Sequence, residues 1–189
     1  MPESKIAPGF LVAAPQLQDP HFEHSVILMI EHQNEEGSLG LIINRPASVD
    51  LFTVVDEMNI THANTFDMDR QPPILYGGPV SPERGWILHT PDWNGPQTQP
   101  IGDEMSVTAS LDILDAIFSE TGPEKYRFCL GYAGWGPFQL IGEIKSGSWI
   151  NVPFSVDVIF DVPLEQIWTT TLSRLGIDPS KLVVAIGDA

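Results

Sequence analysis

The chain has 189 residues, 25 of them Asp or Glu against nine Lys or Arg, and its formal net charge of −16 argues against a surface that tracks nucleic-acid phosphates or an anionic membrane. A 42% hydrophobic share supplies one sizeable core, no Ser-, Gly- or charge-rich stretch separates two domains, and no apolar run nears the roughly 20 residues of a membrane span; one domain over residues 1–189 is expected, with no membrane partner. The single Cys129 excludes an internal disulfide and agrees with a reducing cytoplasm, the expected location.

Lys5 followed by IAPGFLVAAP imitates a secretory signal, but two prolines and Glu3 spoil the imitation, and residues 10–14 suit a buried strand equally well. A first strand is read over residues 10–15, then a loop, QLQDPHFEH, that turns at Asp19-Pro20. Ser25 to His32 forms a second strand, which the Gly-containing QNEEGS joins to Leu39–Asn44 as a hairpin. Pro46 has no amide hydrogen for a ladder, so the chain leaves the sheet there. Asp50 can cap a helix whose Leu51, Val54, Val55 and Met58 form one apolar stripe. Residues 59–73 read as irregular, ILYGGPV as a short strand, and SPERG as a turn, with Pro82 in its second position, into a further strand. DWNGPQTQP reads as a loop. Ser110 or Thr108 can cap a helix carrying Leu111, Leu114, Ile117 and Phe118, which stops before Gly122-Pro123. Residues 127–133 return as a strand, and both SWINVPF and VDVIF read as extended. A last helix has Pro163 in its first turn, Leu164, Ile167, Trp168, Thr171, Leu172 and Leu175 on one face, and Gly176 at its left-handed end. Hairpin-linked strands with interspersed helices point to a mixed, largely antiparallel sheet that curls, because the early connections are too short for helical crossovers.

The stretch LGYAGWGPFQLIGEIKSGSWI, residues 130–150, raises the question of a phosphate loop. A Walker loop needs Lys and Ser or Thr after its glycines, yet Gly136 is followed by Pro137-Phe138-Gln139, and Gly131, Gly134 and Gly136 miss the GxGxxG spacing. Two readings remain: free amides at a helix starting near Pro137 could hold an anion, or the glycines allow a close backbone crossing with Trp135 packed over it. Glycine content alone supports the first, so the second is favoured.

His21, Glu23, His24, Glu31 and His32 offer metal-ligating chemistry without metal-ligating spacing, since positions 21 and 24 of a strand face opposite sides and HExxH is absent. Neither a metal nor a cofactor is expected. GxSxG is missing as well, and GSLG around Ser38 lies in a hairpin. Cys129 reads as a buried filler, with no neighbouring Lys, His or second Cys in sequence to activate it. Asp19, His32 and His89 could act as general acids or bases, against the blander reading of satisfied residues at strand ends. Arg45, presented where Pro46 breaks a strand, can bind a carboxylate or phosphate, or can clamp its own loop to an acid such as Glu31; in so acidic a chain the clamp is favoured.

Five blocks, GFLVAAPQLQDPHFEHSVILMIEH, GSLGLIINRP, LYGGPVSPERGWILHT, VTASLDILDAI and GYAGWGPFQL, follow one another in an order that resembles the bacterial AlgH/YqgE family from about Gly9 to Asp178. The resemblance implies a cytosolic bacterial protein of the α+β class. Its single domain would hold a strongly bent, mixed, largely antiparallel sheet in a barrel-like core, with about three to four helices packed on it. Family members are often labelled transcriptional regulators although they lack a DNA-binding motif. The family's recurring polar positions fall here on Asp19, His32, Asn44, Arg45, Arg84, His89, Trp135 and Gln139, with Gly77 and Gly78; they form the candidate ligand or partner surface, and none carries an assigned catalytic role. Two positions depart from the pattern, Phe138 standing for a Gly and Ile141 for a Glu. The leading expectation is a non-enzymatic regulator acting through an unknown protein partner, without direct DNA binding. The alternative is a small-molecule or nucleotide-binding domain, even a weak hydrolase, with Arg45 and the corner from Gly134 to Gln139 on one cleft.

Overall fold

A computed structural model describes residues 5–57, 67 and 71–179. Among the described residues nine strands form one sheet: β1 (Gly9–Ala13), β2 (Val26–Gln33), β3 (Gly37–Ile42), β4 (Leu75–Tyr76), β5 (Val80–His89), β6 (Thr98–Ile101), β7 (Met105–Thr108), β8 (Tyr126–Trp135) and β9 (Trp149–Val152). Eight lie in the order β6-β7-β5-β8-β3-β2-β1-β9, all neighbours antiparallel; β4 pairs in parallel with β8 off that path. The α+β class and the mixed, largely antiparallel sheet expected from sequence are therefore present. The helices are α1 (Leu51–Glu57), α2 (Asp112–Phe118), α3 (Gln139–Lys145), α4 (Val156–Phe160) and α5 (Ile167–Arg174), with a 3₁₀ turn at Leu164–Gln166 leading into α5.

The sheet curls because its central strands are apolar on both faces. Phe10, Val12, Val26, Leu28, Leu41 and Ile43 point into a concave core, which α4 and α5 plug with Val158, Ile159, Phe160, Ile167 and Leu172. The alternate residues Leu11, Ala13, Ile27, Met29 and Ile42 face outward and are covered by α3 and the loop after β1. On the other half of the sheet α1 and α2 cover Ile87 and Phe128. Continuous apolar runs such as VILMI in β2 thus mark strands covered on both sides, as in a parallel sheet but without its topology.

β8 carries the bend. It pairs with β5 through Tyr126–Leu130 and again at Tyr132, then with β3 through Ala133–Trp135. Between these segments Gly131 has φ +70°, and a Cβ there would lie 2.4 Å from the Gly78 carbonyl oxygen. A Cβ on Gly78 would lie 2.1 Å from the Tyr132 carbonyl carbon. Only glycines let the two backbones cross this closely, so the glycine-rich stretch is a corner in the sheet.

Four local expectations change. SPERG is a wide bulge inside β5: five steps from Val80 to Gly85 oppose two from Tyr132 to Leu130 on β8, and Ser81 has φ +46°. The loop expected over residues 92–100 contains most of β6, where Pro100 is tolerated because the strand lies at the sheet edge. VDVIF is α4, not extended. The chain also stays beside the sheet past Pro46, which bridges Leu75. Asp50 caps α1 as expected, its Oδ1 accepting the Thr53 amide at 2.8 Å. Met58 and most of residues 59–73 lie outside the described residues.

Candidate functional site

Asp19, Asn44 and Arg45 meet in one construction. The Asp19 carboxylate accepts the His21 amide at 2.8 Å and its carbonyl accepts the amides of Phe22 and Glu23, which winds residues 19–24 into a tight turn. Asn44, just past β3, stitches that turn to β2: its Oδ1 accepts the Val26 amide and its Nδ2 donates to the His24 carbonyl, both at 2.8 Å. The Arg45 guanidinium donates to the carbonyls of Pro20 (3.1 Å), His21 (2.6 Å) and Glu23 (3.0 Å). The expected clamp exists, but it grips main-chain carbonyls and not a carboxylate such as Glu31. His21 and His24 go separate ways: His21 Nδ1 bonds Tyr76 Oη, while the His24 ring packs edge-on against Trp168.

The turn so held carries Phe22, whose ring stacks on Trp135 (6.4 Å between centroids) and meets Trp149 edge-on (5.7 Å). Beneath it the Glu143 carboxylate takes three hydrogen bonds, each 2.9 Å, from Trp135 Nε1, Trp149 Nε1 and Gln139 Nε2. Gln139 Oε1 in turn accepts the Gly136 amide at 3.0 Å. That amide is one an anion would need. The corner from Gly134 to Gln139 is therefore packed with its own side chains.

The other candidates lie elsewhere. His32 Nδ1 shares a 2.7 Å hydrogen bond with Ser38 Oγ across the β2–β3 hairpin. Arg84 lays its guanidinium over the Trp86 ring, 4.2 Å from the centroid. His89 is fully buried; its Nδ1 lies 2.7 Å from the Thr90 carbonyl and its Nε2 2.8 Å from Thr108 Oγ1. A carbonyl only accepts, so Nδ1 carries the proton and Nε2 accepts from Thr108. Burial holds the His89 pKa below the ordinary 6.5. Cys129 is equally buried, which pushes its thiol up to about 12, far from a reactive thiolate.

Two open cavities flank this construction. One, of about 440 Å³, is lined by Glu23, His24, Asn44, Arg45, Leu164, Glu165 and Trp168. The other, of about 420 Å³, lies at the β2–β3 hairpin and is lined among others by Glu31, Glu36, Leu39, Val80, Tyr132, Gly134 and Trp135. Arg45 lines the first; Gly134 and Trp135 line the second. The loop bearing Phe22 joins Arg45 to the corner, and neither of these two cavities holds both.

The chain also matches a known family. A family model described as AlgH-like, DUF179, matches residues 10–180. The chain belongs to the AlgH-like family. A UPF0301 protein of Anaeromyxobacter dehalogenans is 40% identical to this AlgH-like chain over 189 residues, covering 97% of the chain and 95% of the relative. One of Photobacterium profundum is 40% identical over 183 residues, covering 95% and 97%. The solution structure of the AlgH protein from Pseudomonas aeruginosa superposes with a TM-score of 0.78 at 32% identity, over 100% of this chain and 98% of that one. Protein DIP2367 of Corynebacterium diphtheriae shares the fold, with a TM-score of 0.70 at 23% identity over 90% and 87%.

Of the two positions at which the resemblance implies a departure, Phe138 now has a setting. Phe138 has φ +59°, a conformation that glycine adopts freely and that is strained for a bulky residue. Sequence reasoning missed Glu143, whose partners come from two different strands; its one legible sign was the four-residue spacing from Gln139 on a helix face. It also missed Phe22 and Trp149, and it took Thr108 for a possible helix cap, whereas Thr108 ends β7 and bonds His89.

Proposed function

We propose that this AlgH-like chain is a cytosolic, non-enzymatic regulator that works through protein contacts and reaches transcription only through a partner. One observation carries this reading: the polar side chains that could have made a reacting centre are engaged by the fold itself. Arg45 and Asn44 hold main chain, Glu143 and Gln139 close the corner, and His89 is buried and neutral. Four of the described cations besides Arg45 are engaged in the same way. Lys125 pairs with Asp161 and Arg127 donates to the Phe160 carbonyl, both at the C-terminal end of α4; Arg174 pairs with Asp157, and Arg84 covers Trp86. No helix among the described residues is long and apolar enough to cross a membrane.

The test is nuclease footprinting on genomic duplex fragments at physiological salt, run beside in-cell cross-linking. Expected are unprotected DNA and discrete protein adducts. A sequence-specific footprint that persists at that salt overturns the proposal, because electrostatic adhesion alone falls steeply with salt.

A further inference from the structure

We propose that the groove at the β2–β3 hairpin receives a basic partner segment that inserts an apolar anchor between two glutamates. This rests on the protein-contact reading and names where, and by what chemistry, the contact is made. The groove holds about 420 Å³, room for one or two side chains, with Leu39, Val80, Tyr132 and Trp135 contributing apolar surface and Glu31 and Glu36 contributing charge. Val80 is 37% exposed although apolar. Phe138 stands beside it: its amide donates to the Asn34 carbonyl at 2.8 Å, in the hairpin turn that also supplies Glu36, and its side chain is 61% exposed. Phe138 is thus both exposed and held at positive φ, a combination that stability does not select and that a contact surface does.

Charge decides the occupant. The chain's −16 and the two groove carboxylates favour Lys or Arg, whose aliphatic stems can lie on the apolar floor while their heads meet the carboxylates. A second copy would bring the same negative charge, and a nucleic acid or phosphate would be repelled outright.

The experiment follows amide ¹⁵N–¹H shifts of the full chain at physiological salt, titrated with three capped hexapeptides: alternating Arg and Leu, alternating Arg and Ser, and alternating Glu and Leu. Expected is saturable binding of the Arg–Leu peptide, with shifts confined to residues 31–39, 80 and 132–138, about tenfold tighter than Arg–Ser, and no response to Glu–Leu. The Glu31→Gln/Glu36→Gln double variant should weaken binding about tenfold while keeping its unfolding midpoint; Phe138→Gly should weaken it while keeping the fold. Equal binding of Arg–Leu and Arg–Ser overturns the proposal in favour of diffuse attraction. So does the absence of saturation at millimolar peptide. Saturable shifts on another face overturn the groove but leave the protein-contact reading standing, which a salt-resistant DNA footprint would remove. Groove shifts that appear on concentrating the protein alone assign the surface to a second copy.

Discussion

A guanidinium offers five donors in one plane, and in Arg45 three of its bonds converge on carbonyls of a single turn. Removing it leaves those carbonyls to water and frees the loop that carries Phe22. Arg45→Ala should therefore destabilise the protein by about 2 kcal/mol, the scale of hydrogen bonds to a charged group discounted for partial exposure. Chemical denaturation measures it, with loss of hydrogen-exchange protection expected at Val26, whose amide depends on the neighbouring Asn44. Arg45→Lys should restore less than half, because an ammonium cannot span three carbonyls in a fork; full rescue would show that charge alone matters.

His89 gives the second prediction at this scale. Its folded pKa is depressed by burial, so the unfolded chain takes up a proton first as the pH drops. The stability that the neutral ring supplies is whole above 6.5 and is lost as the pH falls from there through the lower folded value. Ring ¹⁵N shifts should report a neutral, Nδ1-protonated imidazole at pH 6.5, bonded as Thr90 and Thr108 require. An imidazolium at that pH would contradict the assignment.

Among elements, α3 and its approach are the most constrained. Glu143→Ala would strip two indole N–H groups of their acceptor at once and should cost about 2–3 kcal/mol, with tryptophan fluorescence shifting to the red as the corner opens. Glu143→Gln keeps one carbonyl acceptor and should recover part of that loss. Phe138→Gly should instead raise stability by about 1 kcal/mol, by relieving a left-handed phenylalanine; a loss would show that the exposed ring packs usefully. On the opposite side Arg174 ties α5 to Asp157 of α4, and together with Ser155 holds that carboxyl at about 2. Its contribution is present above the ordinary 3.8 and fades as the pH falls through about 2. The gap between wild type and Asp157→Asn should follow that window, and it will be small because both groups are about half exposed.

Sequence legibility also differs by element. The β2–β3 hairpin, the Asp50 cap and the left-handed Gly176 could be read because local chemistry decides them. VDVIF could not: its β-branched residues suit a strand, and it becomes helix because Val158, Ile159 and Phe160 plug the concave core while Lys125 and Arg127 hold its C-terminal end. Arg45 was legible as a clamp, but its acceptors were not, since main-chain carbonyls leave no mark in sequence.

At the scale of the molecule, the curled sheet leaves β6 and β9 unpaired with each other, and Phe154 after β9 reaches the Gly102 turn between β6 and β7. A side-chain contact spans the seam where a closed barrel would have hydrogen bonds. The fold is thus organised around two covered faces and one plugged interior, and its polar side chains serve that organisation. The same organisation bears on function: a chain whose candidate groups are held internally should bind protein surfaces better than small anions. The most direct test is thermal unfolding with nucleotides, sugar phosphates, divalent metals and duplex DNA, each at the same ionic strength. A ligand at a hundred times its Kd would stabilise by about 2.7 kcal/mol, a readily measured rise in Tm. No rise with any of them is the predicted result. A rise with one, abolished by Arg45→Ala at matched distance below the variant's own midpoint, would show that the guanidinium serves a ligand and not its loop.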